Sequence, residues 1–251
     1  MFFETVRDQQ LYYLHGDNVC PPHFHRSSEI LYVLSGTKTV YLSGKKMQLT
    51  AGDVLFCPPR LVHKFIKSDN GEQIVATITE ELCPQFTQYC RANVPEKYVI
   101  HDHDKTLLTL IQALKQPKNP VLFAGIANTL LGIYMQSVRF FPASATPGRS
   151  LVEQIAEYID KYYAQPLTLR SLADTFGYSP NYFSALFKRY FTMGVPQYVN
   201  YTRVRKSLPL LSTHKISAVY FTVGFQSPQQ YFLNFKKYMD CTPKEYLAPQ
   251  S

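Results

Sequence analysis

Residues 179–190, SPNYFSALFKRY, and residues 227–238, SPQQYFLNFKKY, are one phrase written twice. Both open on Ser-Pro, at Ser179 and Ser227, and close on Phe, two basic residues and Tyr. The run from that Phe to a later Tyr is equal in the two copies, Phe187 to Tyr198 and Phe235 to Tyr246. A glycine–aromatic pair stands just upstream of each, Gly177-Tyr178 and Gly224-Phe225, behind the helical stretches SLADTF and ISAVYFTV. Serine is a preferred N-cap and proline is tolerated at the first helical position, because its missing N–H has no partner there anyway. Each copy therefore predicts helix, glycine-containing turn, helix. In that geometry the second helix can enter a DNA major groove with its first turns toward base edges. A helical bundle with ordinary caps is the plain alternative; two matching copies weigh against it.

The charge distribution agrees. Residues 146–251 hold 12 Lys/Arg against 6 Asp/Glu, whereas residues 1–145 hold 14 against 12. A basic excess gathered in one half suits a polyanionic partner. That half is read as helix after helix. Ser150 and Glu153 have capping-box spacing, with Leu151, Ile155, Tyr158, Ile159 and Tyr162 as the apolar stripe behind them. Thr242-Pro243-Lys-Glu245 repeats the start signal.

Before Ser150 lies PASATPGRS, residues 142–150, the best linker in the chain. Upstream, residues 1–80 read as strands: ILYVLSG, TKTVYLSG, KMQLTAGDVLFCPP and QIVATIT are short β-branched and aromatic runs broken by Ser-Gly, Ala-Gly and Pro-Pro. From Leu82 the texture is helical, with Leu107, Leu108, Ile111 and Leu114 on one helical face and a longer apolar helix over 121–140. The fold class expected is α+β in two domains. A domain at 1–142 has a barrel at about 1–81 and helices at about 82–140; a linker follows at 143–149, then an all-α domain at 150–251 with helix-turn-helix units at about 168–191 and 215–239.

Composition excludes several classes. With 45% hydrophobic and 14% aromatic residues the chain is globular rather than disordered. The most apolar stretch, Val121–Met135, carries Asn128 and Thr129, so a buried helix is expected rather than a membrane span. MFFETVRDQQ lacks the basic-then-apolar order of a secretory leader. Five cysteines, at 20, 57, 83, 90 and 241, make no CxxC pair and are odd in number, which fits reduced thiols in a cytoplasm.

Residues 150–251 resemble the DNA-binding domain of the AraC/XylS family of transcription regulators, through LTLRSLADTFGYSPNYFSALFKRY, Arg203 and Leu210-Leu211 in the joining segment, and VGFQSPQQYFLNFKKYMDCTPKEY. Residues 1–140 resemble that family's sensor, a cupin-like barrel followed by helices that often dimerise. The resemblance implies base contacts from Asn181, Ser184 and Ala185 on the first reading helix and from Gln229, Phe232 and Leu233 on the second. Asn and Gln suit adenine, and apolar side chains meet thymine methyls. Lys188, Arg189, Lys236 and Lys237 fall where phosphate contact is natural. Phe183, Leu186, Phe187, Tyr231 and Phe235 should be core. The chain departs from the family at Phe232 and Leu233, where a polar residue and an arginine are usual. Thr192 and Asp240 stand where a glycine usually follows each reading helix. Pro209 falls inside the joining helix, implying a kinked or shortened linker.

His23, His25, Glu29 and Gly36 have the spacing of the first cupin motif. Gly52-Asp53, Pro58 and His63 fit the second, with Arg60 for its glycine and Lys67 for its asparagine. In metal-dependent cupins the positions of His23, His25, Glu29 and His63 hold a divalent metal. In AraC-type sensors such residues line the mouth of an effector pocket. The second of these is the reading preferred: His23, His25, Glu29, His63 and Arg60 bind a small effector, a sugar or another small polar metabolite, with no metal, no cofactor and no catalytic residue. The other histidines, at 15, 101, 103 and 214, are expected on the surface. The function expected is a cytoplasmic, effector-controlled DNA-binding regulator, not an enzyme. Its partners would be double-stranded DNA, a second copy joined through residues 105–140, and RNA polymerase, with no membrane. The alternative is a metal-dependent cupin enzyme, a dioxygenase or isomerase, with an appended helical domain.

Overall fold

The computed structural model describes residues 11–17, 19–68, 71–115, 119–143 and 149–248. The chain divides into two compact units that adjoin in sequence at Arg149 and Ser150. Most of the expected linker, residues 144–148, lies outside the described residues.

The first unit opens with strands β1 (Leu11–Gly16), β2 (Cys20–His23), β3 (Ser28–Ser35), β4 (Thr37–Leu42), β5 (Lys45–Thr50), β6 (Asp53–Cys57), β7 (His63–Phe65) and β8 (Glu72–Ile78). Helix α1 (Pro84–Ala92), short strands β9 (Asn93–Pro95) and β10 (Val99–His101), helices α2 (Thr106–Ala113) and α3 (Pro120–Ser137), and β11 (Phe140–Pro142) complete it. Two antiparallel sheets result, one ordered β1-β8-β3-β6-β10 and one ordered β2-β7-β4-β5, with β11 paired to β9 apart from them.

Residue parity on β3 explains both faces of the larger sheet. Leu31 and Val33 join Val40, Leu42, Leu49, Leu55, Leu61, Phe65 and Val75 in a core made by both sheets. Ile30 and Tyr32 point the other way, into a core shared with α1, α2 and α3. With both faces covered, β3 reads as an unbroken apolar run rather than an alternating one. Glu29 has the parity of Leu31, which sends its carboxylate into the barrel interior.

Three expectations change here. The barrel does not end near residue 81, because β10 pairs with β6 on the edge of the larger sheet. Leu107, Ile111 and Leu114 are buried in the unit's own core, so this stripe covers the barrel's sheet instead of waiting for a second subunit. The 121–135 stretch is buried on one face only: Phe123, Ala127, Leu130, Leu131 and Tyr134 pack inward, with Tyr134 stacked on Phe56 at 4.2 Å, while Val121 and Leu122 are exposed.

The second unit holds α4 (Arg149–Tyr162), α5 (Leu169–Thr175), α6 (Pro180–Phe191), α7 (Val195–Leu211), α8 (Ile216–Thr222), α9 (Pro228–Met239) and α10 (Pro243–Leu247). Helix α4 already includes Arg149, so Ser150 stands within the helix rather than capping it. The box at Thr242 and Glu245 forms, each side chain accepting from the other's backbone N–H. Helix α7 continues two residues beyond Pro209, which is exposed near its C-terminal end, so the joining helix is not shortened.

Candidate functional site

The two helix pairs are α5 with α6 and α8 with α9. Ser179 and Ser227 cap α6 and α9, accepting from Tyr182 N–H and Gln230 N–H, with Pro180 and Pro228 as first helical residues. Each turn is closed the same way. Tyr178 N–H donates to the Ala173 carbonyl and Gly177 N–H to Asp174; Phe225 N–H donates to Tyr220 and Gly224 N–H to Phe221. This is the Schellman pattern, which needs a left-handed residue at the glycine, and Gly177 (φ 74°) and Gly224 (φ 92°) supply it. Thr192 and Asp240, at the far ends of α6 and α9, also hold left-handed φ, 52° and 55°. The backbone takes the conformation that favours glycine at the two positions where the resemblance leads one to expect it.

Buried Phe183, Phe187 and Phe191 fix the inner face of α6, and Tyr231, Phe235 and Met239 that of α9. Leu186 is half-buried, not core as expected. The outer faces carry Asn181, Ala185, Lys188 and Arg189 on α6, and Gln229, Phe232, Leu233, Lys236 and Lys237 on α9, all exposed. Ser184 is half-buried and less accessible than its neighbours. On each helix the amide, the two middle positions and the first basic residue recur at i, i+3, i+4 and i+7, the spacing of a single face. The basic residues also lie in the last turn, where they favour the helix dipole.

Sequence reasoning missed two residues at this surface. Tyr178 and Tyr182 are exposed and stack on each other at 5.1 Å beside the start of α6. The aromatic after each glycine signalled it, but one residue, Gln226, is inserted before Ser227, and Phe225 turns inward to pack on Tyr231 at 5.4 Å. Arg203 braces that turn: its Nε and Nη2 donate to the carbonyls of Tyr163 and Gln165 at 2.8 and 2.9 Å, and its guanidinium lies 5.7 Å from the Phe225 ring centre.

In the barrel, His23, His25, Glu29 and His63 converge, each offering a ligand atom within 4.8 Å of the others'. His23 closes β2 and lies opposite His63 in the ladder with β7, their rings 4.3 Å apart. Glu29 reaches in from the other sheet. His25 falls beyond β2, so the two early histidines do not share a face of one strand. All three Nδ1 atoms sit against backbone carbonyls, of Pro21, Ser27 and Leu61, at 2.8–2.9 Å. A carbonyl only accepts, so each Nδ1 carries the hydrogen. That turns Nε2 of His25 and of His63 toward Glu29, at 3.3 Å from Oε2 and 3.5 Å from Oε1. Burial by itself raises the Glu29 carboxyl; the His63 and His25 imidazoles and the Thr77 hydroxyl outweigh it and hold the group below its ordinary value.

The donor chemistry therefore suits a positive or proton-donating guest. Three imidazoles anchored through Nδ1 with one buried carboxylate fit a divalent transition metal. Cys57 lies opposite Glu29 in the β3–β6 ladder, and burial pushes its thiol well up. Arg60 enters through its backbone: its N–H donates to the His25 carbonyl at 2.7 Å, and its φ of 69° keeps the left-handed form of the motif's usual glycine. Lys67 is exposed. His101, His103 and His214 are exposed, His101 bonding Asp53 at 2.9 Å; the side chain of His15 lies outside the described residues.

Comparison with known proteins agrees with both units. A cupin domain model matches residues 11–78 and a helix-turn-helix domain model matches residues 172–248. YijO of Escherichia coli, an uncharacterized HTH-type transcriptional regulator, is 32% identical over 142 residues, 56% of this chain and 50% of its own length. YpdC of the same organism, described likewise, is 24% identical over 232 residues, covering 86% of this chain and 80% of its own. The chain thus spans about half of the first relative and four-fifths of the second. Among solved structures, ToxT from Vibrio cholerae superposes with a TM-score of 0.58 at 10% identity, covering 95% of this chain and 98% of that one. Among the described residues no helix is long and apolar enough to cross a membrane. The chain thus carries a cupin domain followed by a helix-turn-helix domain, is similar in sequence to HTH-type transcriptional regulators, and shares the two-domain fold of ToxT, in keeping with its resemblance to the AraC/XylS family.

Proposed function

We propose that the protein switches transcription in response to a small molecule held in the barrel, with residues 150–251 as the DNA reader. The observation that carries the reading half is the doubled face: an exposed amide at Asn181 and Gln229, and exposed basic residues about two turns later. Amides hydrogen-bond base edges and lysines meet phosphates. The test is selection of binding sites from random duplex DNA by the purified full-length chain. Convergence on one motif, with affinity falling steeply as salt rises, is the expected result. Equal recovery of all sequences removes the proposal.

For the sensing half, the effector is a hydroxyl-bearing molecule, such as a sugar or another small polar metabolite, whose hydroxyls bond Nε2 of the histidines and donate to Glu29. Solved structures of ToxT include one bound to an unsaturated fatty acid and one bound to a naphthalenyl butenoic acid. A carboxylate at this cluster would face the buried Glu29 charge, which disfavours the same ligand class here. A second reading has its own support. The convergence of four ligand atoms within 4.8 Å favours a divalent cation on His23, His25, Glu29 and His63. Such an ion would neutralise Glu29 and offer a Lewis-acidic anchor for an effector oxygen.

Pairing of two subunits completes the proposal. Because α2 is committed to its own barrel, the surface for a second copy within 105–140 is the outer face of α3, with Val121 and Leu122 exposed and open space beside Gly125 and Gly132. Effector binding then shifts the population between two arrangements of the DNA readers. The setting is the cytoplasm, with RNA polymerase as the further partner.

A further inference from the structure

The two reading faces are built alike and carry different chemistry. At equivalent positions α6 offers Asn181, Ser184, Ala185 and Lys188, and α9 offers Gln229, Phe232, Leu233 and Lys236. Leu233 is 72% exposed, on the side away from buried Tyr231 and Phe235, and Phe232 is 39% exposed with its ring 5.8 Å from that of Tyr231. Leu233 has no place in the core of the unit and Phe232 only flanks it, so the chain presents two large apolar groups in the middle of a face whose ends are polar. Gln229 stands one turn before them and Lys236 one turn after. An amide, then apolar bulk, then a cation along a single helix face complements a base edge, a methyl group and a phosphate.

In the major groove thymine is the base that presents a methyl group, at C5. We propose that the second unit selects its half of the site by thymine methyls, with Leu233 as the principal contact and Phe232 beside it. The first unit, with Ser184 and Ala185 at the same places, offers no more than one small methyl group for such a contact. This rests on the DNA-reading function proposed above. The exposed Lys236 and Lys237 on the following turn make duplex DNA the complementary occupant of this face.

The experiment uses the full-length chain and the motif it selects from random duplex. Each thymine is replaced singly by uracil, which removes the methyl and leaves the base pair intact. One or two positions in one half of the motif should weaken binding about fourfold each, the effect of withdrawing one methyl-sized group from an apolar contact. Leu233→Ala should make those positions indifferent to uracil, and Leu233→Met should restore part of the sensitivity; both substitutions suit an exposed helix position. A motif bound equally with thymine or uracil throughout overturns the inference while leaving DNA reading intact, and assigns the apolar face to a protein partner. Sensitivity that persists unchanged in both Leu233→Ala and Phe232→Ala overturns it as well. Failure to select any motif removes the DNA-reading proposal and this inference with it.

Discussion

Gly224 stands so close to Ala164 that a side chain there would drive a Cβ to 2.5 Å from the Ala164 carbonyl oxygen and 2.8 Å from its Cα. The turn of the second helix pair is pressed against backbone just beyond α4, between the two carbonyls that Arg203 holds. Gly177, its counterpart in the first pair, has nothing within 4 Å.

The matched pair separates two costs of adding one methyl. Gly177→Ala should lose roughly 1 kcal/mol, the strain of a left-handed alanine. Gly224→Ala adds a clash with backbone that cannot rotate aside, and should lose more than about 3 kcal/mol. Denaturant unfolding of the two variants checks the difference; equal losses would mean that the Ala164 contact is not made.

Thr192 and Asp240 invite the opposite change. Thr192→Gly should stabilise by about 1 kcal/mol, because a β-branched residue is strained at φ 52°. Asp240→Gly should gain roughly half of that, since aspartate tolerates the left-handed region better. An increase in thermal midpoint, larger for Thr192→Gly, is the expected reading.

On DNA, Lys188→Ala and Lys236→Ala should weaken all sequences about equally and lower the salt slope by about one each. Gln229→Ala should lose roughly 1–3 kcal/mol of discrimination at one base pair. A selection profile that Gln229→Ala leaves unchanged would place the reading face elsewhere on α9.

Elemental analysis of protein purified without a histidine tag or chelator decides between the two guests of the barrel. The hydroxyl-effector reading expects trace metal and an effector response that survives chelation. Near-stoichiometric metal, lost in His63→Ala along with the response, would establish the cation reading instead.

For pairing, Leu122→Glu puts a charge on the exposed side of α3. Sedimentation should show the native chain as a dimer and the variant as a monomer, with unchanged circular dichroism because Leu122 adds nothing to the core. A native chain that stays monomeric at high micromolar concentration would end this part of the proposal.

What the sequence disclosed follows the range of the forces involved. Caps at Ser179 and Ser227 act within one helical turn, so a short phrase displays them. The spacing of His23, His25, Glu29 and His63 was equally visible, but the ladder that sets His23 against His63 was not, because a register joins strands far apart along the chain. Strands β9, β10 and β11 are very short and have no pattern of their own; pairing partners create them. The Leu107, Ile111 and Leu114 stripe announced an apolar face without naming what covers it. Periodicity cannot distinguish a subunit's own sheet from a neighbour's helix. Leu108, counted on that face, proved only half-buried.

The single residue inserted before Ser227 reaches further than its size suggests. Helices α5 and α8 start at Leu169 and Ile216, whereas α6 and α9 start at Pro180 and Pro228, so the two pairs are out of step by one position at the turn. That step sends Phe225 into the interior under Arg203 and leaves Tyr178 outside. The two copies are thereby not interchangeable. A chimera carrying the first turn in both places would leave Arg203 facing an empty socket, and one carrying the second turn in both would bury an aromatic where no such brace exists. The copies have become a lock and a frame for it, free to diverge in what they read because they no longer can replace each other in how they stand.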